Sequence, residues 1–84
     1  MTKKLEINVE ALYTSTETAK LSMLDYYVKK AIDLAGEGNE IIFTGAAPIW
    51  LYLKIVHALH GKVRKLVYRS PVTGDVTIFD HSPE

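Results

Sequence analysis

The chain has 84 residues, 48% of them hydrophobic, and its 10 basic side chains balance its 10 acidic ones, so that the formal net charge is zero. This length predicts one domain over residues 1–84, and the lack of a strong positive charge excludes a general nucleic-acid coat, so duplex DNA is not an expected partner. The lack of cysteine excludes disulfides and thiolate metal sites, and no run approaches the ~20 apolar residues that span a bilayer, so no membrane association is expected.

The N-terminus and the cysteine content favour a cytoplasmic protein. Glu6 stands where a signal peptide would have its apolar stretch. A chain this short buries only about 60–65% of its unfolded surface, and the hydrophobic content is generous for such a small core. Burial of the surplus in a second copy is the simplest outcome, so we expect a homodimer.

The N-terminal half predicts a strand and then a helix. Apolar and polar residues alternate from Leu5 to Val9, which predicts a half-buried strand over residues 5–13. The spacing of Thr14 and Glu17 fits a capping box, and Ser22 with Asp25 offers a second helix start. An apolar stripe at helical spacing predicts a helix from about residue 16 to residue 35, which Gly36 and Gly38 end.

The C-terminal half predicts a strand, a helix and two further strands, over residues 40–44, 48–60, 63–68 and 76–79. Residues 70–74 have the composition of a turn, so the last two strands are expected to form a hairpin. Helices that alternate with strands imply crossover connections. The sequence therefore predicts an α/β fold in the order βαβαββ, with two helices packed on a four-stranded mixed sheet.

The segment Gly45-Ala46-Ala47-Pro48-Ile49-Trp50-Leu51 joins the second strand to the second helix. Pro48 is suited to the first helical position, because the N–H that proline lacks has no partner there. Free N–H groups and the positive end of the helix dipole favour an anion such as phosphate. Ligands of open sheets bind beyond the carboxyl ends of the strands, so this segment and residues 69–71 are expected to converge on one site.

The two charge signs are separated along the chain. Residues 41–74 contain five lysines and arginines and no carboxylate, whereas residues 5–40 contain seven carboxylates and three lysines. One interpretation is a positive surface that attracts an anionic ligand. The alternative is a solvated face whose cations pair with the acidic first helix.

Three histidines are candidates for proton transfer or metal binding, the two roles for which imidazole is best suited near neutral pH. His57 and His60 lie one turn apart near the end of the second helix, and His81 follows Asp80 after the last strand. The alternative is that the first two are interfacial side chains without chemistry and that His81 belongs to a frayed terminus. Trp50 either anchors the core or stacks on an adenine base, and Tyr52 and Tyr68 leave the same two possibilities open.

These residues resemble a small family of CRISPR-associated ring nucleases of type III systems. The resemblance rests on the Gly-x-x-Pro-Ile-Trp-Leu segment from Gly45, the His-x-x-His pair, Val67-Tyr68, and the closing Asp80-His81-Ser82, and it covers roughly residues 40–82. It implies that the chain binds cyclic tetra-adenylate between facing dimers that stack head to tail. It also implies linearisation of that ring with help from manganese, which switches the defence signal off.

The resemblance also assigns residues to roles. His60 matches a histidine implicated in cleavage, and His57 and His81 match its companions. Gly45, Ala46, Ala47, Pro48 and Ile49 match the ligand-facing turn, to which we add Trp50, Arg69 and Ser70 as ligand-binding candidates.

Two departures from the family pattern keep a second function open. Ala46 stands where family members tend to have arginine, and Arg69-Ser70 follows Tyr68 where they have an aspartate. Loss of that carboxylate weakens the case for a metal, and cleavage of RNA-type phosphodiesters by a ribose 2′-hydroxyl needs only a general base and a general acid. The competing hypotheses are a ring nuclease, which is either manganese-assisted or metal-independent, a protein that binds the ring without cutting it, and an unrelated interaction scaffold.

Overall fold

The computed structural model describes residues 3–13 and 19–81. Four strands form one sheet in the order β1 (Lys4–Asn8), β2 (Glu40–Thr44), β3 (Lys65–Ser70) and β4 (Gly74–Asp80). The first three strands are parallel, and β4 is antiparallel to β3. Helix α1 (Leu24–Ala35) connects β1 to β2, and helix α2 (Ile49–Leu59) connects β2 to β3. The predicted α/β fold, with two helices and a four-stranded mixed sheet, is confirmed.

Both helices cover the same face of the sheet. The two crossovers step in the same direction along the strand order, and crossovers of this type are right-handed, so they place both helices on one side. Ile41, Phe43 and Leu66 point to that side and are almost completely buried in the core shared with the helices. The residues that alternate with these along the strands point to the opposite face. Ile42 and Val67 are buried on that face and lie between charged side chains.

Strand β1 is shorter than the sequence predicts. It ends at Asn8, and Val9–Tyr13 form a 3₁₀ helix instead of continuing the strand. The buried residues of this segment are Val9, Leu12 and Tyr13. Buried side chains therefore recur every three to four residues, as in a helix, and not at every second residue, as in a strand. The prediction of a strand to residue 13 is wrong beyond Asn8 for this reason.

Helix α1 begins at Leu24, after a single 3₁₀ turn over Leu21–Met23. The predicted capping box at residues 14–17 lies outside the described residues. The alternative start at Ser22 is not used as a side-chain cap, because Met23 occupies the N-cap position without a capping hydrogen bond. The end of the helix agrees with the prediction, since the Gly36 N–H donates to Ile32 O and Gly36 has a φ of 66°.

The C-terminal elements differ from the predictions only at their ends. Pro48 is the N-cap of α2 and not its first helical residue, and the helix ends at Leu59. Strand β3 begins at Lys65 and runs to Ser70, while β4 extends over Gly74–Asp80. No helix among the described residues has both the length and the apolar character needed to cross a bilayer.

Candidate functional site

The loop between β2 and α2 depends on a glycine at its first position. Gly45 has a φ of 90°, a conformation that L side chains rarely adopt. A Cβ at this position would collide with Asn8 Oδ1 and would lie 3.2 Å from the backbone nitrogen of Glu10. The carboxyl end of β1 therefore packs closely against the loop, and only glycine fits there.

Two tyrosines hold the carbonyl groups of this loop. The Tyr13 hydroxyl donates to Ala46 O at 2.9 Å, and the Tyr52 hydroxyl donates to Gly45 O. Burial raises the pKa of Tyr52 to about 12, with a further contribution from the neighbouring Tyr68, and burial also raises the pKa of Tyr13. Both hydroxyls therefore keep their protons at neutral pH and act as donors.

The carboxyl ends of β2 and β3 enclose a pocket of about 390 Å³. Gly45, Ala46 and Arg69 line it together with Thr44, Tyr68 and Pro71. The structure thus brings together two of the predicted turn residues with Arg69, as expected for the ends of adjacent parallel strands.

The remaining candidates of the turn lie elsewhere. Ala47 and Ile49 line a neighbouring apolar pocket of about 360 Å³, which is completed by Phe43, Tyr52, Leu53, Val56, Tyr68 and Ile78. Trp50 is half-buried and packs against the core, in agreement with its interpretation as a core anchor. The Ser70 hydroxyl accepts hydrogen bonds from the N–H groups of Val72 and Thr73, so it shapes the β3–β4 turn.

Arg69 does not lie on a surface free of carboxylates. Its Nε lies 3.0 Å from Asp75 Oδ1, and one terminal nitrogen lies 3.2 Å from Glu6 Oε2. The expectation of an unopposed positive surface is therefore wrong at Arg69, because β1 and β4 bring carboxylates to β3 from outside the segment 41–74. Hydrogen bonding to Asp75 raises the pKa of Arg69, so its charge is permanent but locally balanced.

We expect the pKa of Asp75 to rise toward its usual value in Arg69→Gln. In the wild-type chain the hydrogen bond from Arg69 lowers the pKa of Asp75. A carboxyl with a lowered folded-state pKa contributes stability above its unfolded pKa, and this contribution is lost as the pH falls through the folded value. NMR titration of the Asp75 carboxyl carbon measures the change, and Glu6→Gln is the control, because it leaves the Arg69–Asp75 pair in place. An unchanged titration in Arg69→Gln would show that the pair does not form in solution.

His60 and His81 form a hydrogen-bonded pair. Their Nε2 atoms lie 3.0 Å apart and the ring centroids 4.8 Å apart, and both residues are exposed. The Phe79 ring packs edge-on against His60, with a centroid distance of 4.9 Å, and lies 5.0 Å from His81. The pair thus combines access to solvent with packing against the Phe79 ring.

The hairpin explains how residues 21 positions apart meet. His60 is the C-cap of α2, and the chain then enters β3 within five residues. Strand β4 returns beside β3 and pairs Phe79 with Leu66, after which the His81 N–H donates to Arg64 O at 2.8 Å. The expected joining of His81 to the helix histidines is therefore realised with His60. His57 is exposed on α2, and no hydrogen bond joins its side chain to the rest of the described chain.

The loop pocket and the histidine pair lie at opposite ends of α2. Pro48 caps the first turn of this helix and His60 its last. Eleven residues rising 1.5 Å each separate the two ends by roughly 16 Å. One copy of the chain therefore does not place the predicted ligand-binding turn against the predicted catalytic histidines.

The histidine pair alone is an incomplete metal site. Two imidazole nitrogens are acceptable ligands for manganese, which also takes carboxylate oxygens and water. Among residues 3–13 and 19–81, no third His, Asp or Glu joins a potential metal-binding group. The described residues of one copy therefore do not by themselves complete a site for a resident manganese ion.

Tyr13 and Asn8 are contributors to the loop that sequence reasoning missed. Tyr13 lies 33 residues from the carbonyl that it holds, and no local spacing signals such a contact. For Tyr52 the sequence leaves a core anchor and a stacking residue open, and neither interpretation predicts that its hydroxyl donates to the loop carbonyl of Gly45. Alignment of the carboxyl ends of β1 and β2 was the one available signal, since it places Asn8 beside Thr44.

Most of the chain matches the model of a known protein family. The family described as CRISPR-associated protein (Cas_csx3) matches residues 17–84. No curated protein and no solved structure matches the chain.

Proposed function

Because the chain belongs to the Cas_csx3 family of CRISPR-associated proteins, we propose that it binds cyclic oligoadenylate, specifically cyclic tetra-adenylate, and cleaves the ring to linear products. The observation that carries the proposal is the exposed His60–His81 pair, with 3.0 Å between the Nε2 atoms. Cleavage of this kind would remove the messenger and switch type III CRISPR signalling off.

The loop pocket is the proposed phosphate-binding end. Ala46 is exposed in it, and the first turn of α2 adds N–H groups and the positive end of the helix dipole. Arg69 lines the same pocket with a permanent positive charge. A phosphate entering the pocket would compete with Glu6 and Asp75 for that guanidinium, so binding is expected to weaken as salt is added.

Two copies are needed to complete the proposed site. The loop pocket and the histidine pair lie at opposite ends of α2, so the loop of one copy meets the histidines of another when unlike ends come together, as in a head-to-tail arrangement. A ring held between two such ends contacts phosphate-binding groups on one side and proton-transferring groups on the other. This geometry supports the homodimers stacked head to tail that the sequence resemblance implies.

The proposed chemistry is an internal displacement at phosphorus. A ribose 2′-oxygen attacks the adjacent phosphorus, the new O2′–P bond forms, and the bond from phosphorus to the 5′-oxygen breaks. One imidazole of the pair removes the 2′-hydroxyl proton, while the other, in its protonated form, gives a proton to the leaving 5′-oxygen. The products are a 2′,3′-cyclic phosphate and a 5′-hydroxyl, so atoms and protons balance without a further reactant.

Binding without cleavage is the second candidate function. One observation favours it: among the described residues of one copy, no third ligand accompanies the two imidazoles, so these residues alone do not complete a manganese site. In this case the chain would sequester the messenger and not destroy it.

Incubation of the protein with radiolabelled cyclic tetra-adenylate separates these functions. We expect linear products that end in a cyclic phosphate, both with manganese and with a chelator present. Tight retention of the intact ring under both conditions would establish the sequestering function instead. If the protein neither cleaves nor retains the ring at micromolar concentration, both functions are wrong and an interaction scaffold is left.

A further inference from the structure

Two hydroxyl groups fix the loop after β2 from the interior of the fold. Tyr13, in the 3₁₀ helix after β1, donates to Ala46 O at 2.9 Å, and Tyr52, on α2, donates to Gly45 O. The two anchors come from different elements, so the carbonyls of consecutive peptide groups are held independently.

The direction of these carbonyls determines the direction of the neighbouring N–H groups. In a trans peptide the C=O of one residue and the N–H of the next point in opposite directions, and the described residues contain no cis peptide. The Gly45 carbonyl points toward Tyr52, so the Ala46 N–H points away from that side chain. No backbone carbonyl of the described residues accepts a hydrogen bond from this N–H.

A flip of this peptide group would reverse the electrostatics of the pocket. Gly45 has a positive φ and no side chain, and glycine adopts a wide range of backbone conformations. A flipped peptide would direct the Gly45 carbonyl oxygen, which is a negative end of the peptide dipole, to the place where the N–H now points. An anion there would be repelled and not bound.

We propose that Tyr13 and Tyr52 are positioning residues for the ligand, because they hold the Gly45–Ala46 and Ala46–Ala47 peptide groups so that the Ala46 N–H faces the pocket and donates to a phosphate oxygen of the ring. The inference rests on the proposed function, since it concerns the same ring at the same loop. Both hydroxyls act at a distance from the ligand, and neither touches the reacting atoms.

Tyr13→Phe and Tyr52→Phe test this role, with Tyr27→Phe as the matched control. Tyr27 is buried in the core, where its ring packs against that of Tyr13 with a centroid distance of 5.9 Å, but its hydroxyl accepts from the Lys20 N–H at 3.1 Å and not from a loop group. All three substitutions remove one hydrogen-bonded hydroxyl and keep the aromatic ring. Three quantities are measured: the dissociation constant for radiolabelled cyclic tetra-adenylate, the cleavage rate at saturating ring, and the urea midpoint of unfolding.

We expect each loop variant to bind the ring about 3- to 10-fold more weakly, as for the loss of one net hydrogen bond. The cleavage rate at saturating ring should stay near the wild-type value, because the two hydroxyls bond to loop carbonyls and touch neither the reacting atoms nor the imidazoles of the pair. Tyr27→Phe should change the urea midpoint by a similar amount without weakening binding. The Ala46 amide resonance should shift in both loop variants of the free protein and not in Tyr27→Phe.

Two outcomes would overturn the inference while leaving the proposed function intact. One is wild-type binding by both loop variants, and the other is an equal loss of binding in Tyr27→Phe, which would show that only stability matters. A wild-type protein that does not bind the ring would overturn the proposed function and this inference together.

Discussion

Replacing His60 with alanine is expected to lower the rate of ring cleavage about 10²- to 10⁴-fold, the usual contribution of a positioned acid or base. The loop pocket that we propose to bind phosphate is at the other end of α2, so the affinity for the ring should change much less. Single-turnover cleavage of radiolabelled ring measures the rate, and equilibrium retention of the same ring measures the affinity.

Two further variants separate proton transfer from packing. His60→Gln keeps a polar side chain beside His81 but does not transfer protons at neutral pH, so it should be as slow as His60→Ala. Lys54→Ala changes an exposed residue of the same helix and should cleave at the wild-type rate. A His60→Gln protein that cleaves normally would contradict the acid–base role.

Mixing two inactive variants tests whether the site needs two copies. Ala46→Asp places a negative charge in the loop pocket, whereas His60→Ala leaves that pocket unchanged. If the loop of one copy works with the histidines of another, the mixture should regain part of the wild-type cleavage rate. Ala46→Asn, which has the same size without the charge, is the control for the loop variant. A mixture as inactive as its components would contradict the head-to-tail arrangement.

Gly45→Ala is expected to destabilise the fold by about 2–3 kcal/mol. A non-glycine residue at a φ of 90° is strained, and the new methyl group would meet Asn8 Oδ1 and crowd the Glu10 nitrogen at 3.2 Å. The Asn8 side chain can rotate away, but the backbone nitrogen is fixed by the 3₁₀ helix. A domain of this size loses about 4–8 °C in melting temperature per kcal/mol, so the effect is readily measured by thermal unfolding.

Gly38→Ala provides the matched control for this substitution. Gly38 has a φ of 72°, and nothing lies within 4 Å of a Cβ added there, so its replacement measures backbone strain alone. The additional destabilisation of Gly45→Ala measures the crowding by β1. Adding Asn8→Ala should recover only part of this difference, because the Glu10 nitrogen remains. If both glycine variants lose the same stability, the close approach of β1 to the loop is absent in solution.

Local patterns in the sequence were sufficient for the elements and their order. Alternating apolar residues, the glycines after each helix and the turn at residues 70–74 predict the four strands and two helices, and the boundaries are wrong where burial changes period, as at Val9. The convergence of the loops that follow β2 and β3 was also predictable, since the carboxyl ends of adjacent parallel strands lie at the same edge of the sheet. Gly45, Ala46 and Arg69 share a pocket for that reason.

Contacts between distant segments were beyond the reach of spacing rules. The Tyr13 hydroxyl reaches across 33 residues, and the two carboxylates beside Arg69 come from β1 and β4, so neither contact leaves a local signature. The sequence places His57 and His60 near the end of the second helix, but it does not predict that one copy keeps them apart from the loop pocket. The number of charges in residues 41–74 does not predict the surroundings of Arg69, because folding brings carboxylates from outside this segment next to it.

Because the loop pocket and the histidine pair are separated along α2, the two ends of each molecule differ. One end carries the proposed phosphate-binding groups, and the other carries the proposed proton-transferring groups. A head-to-tail junction leaves one free end of each kind, so association of this type does not stop at a fixed number of copies unless it closes into a ring of copies. The number of contacts per molecule between a loop pocket and a histidine pair then rises with the total protein concentration. Diluting the protein at a constant amount of messenger should therefore lengthen the lifetime of the messenger more than in simple proportion.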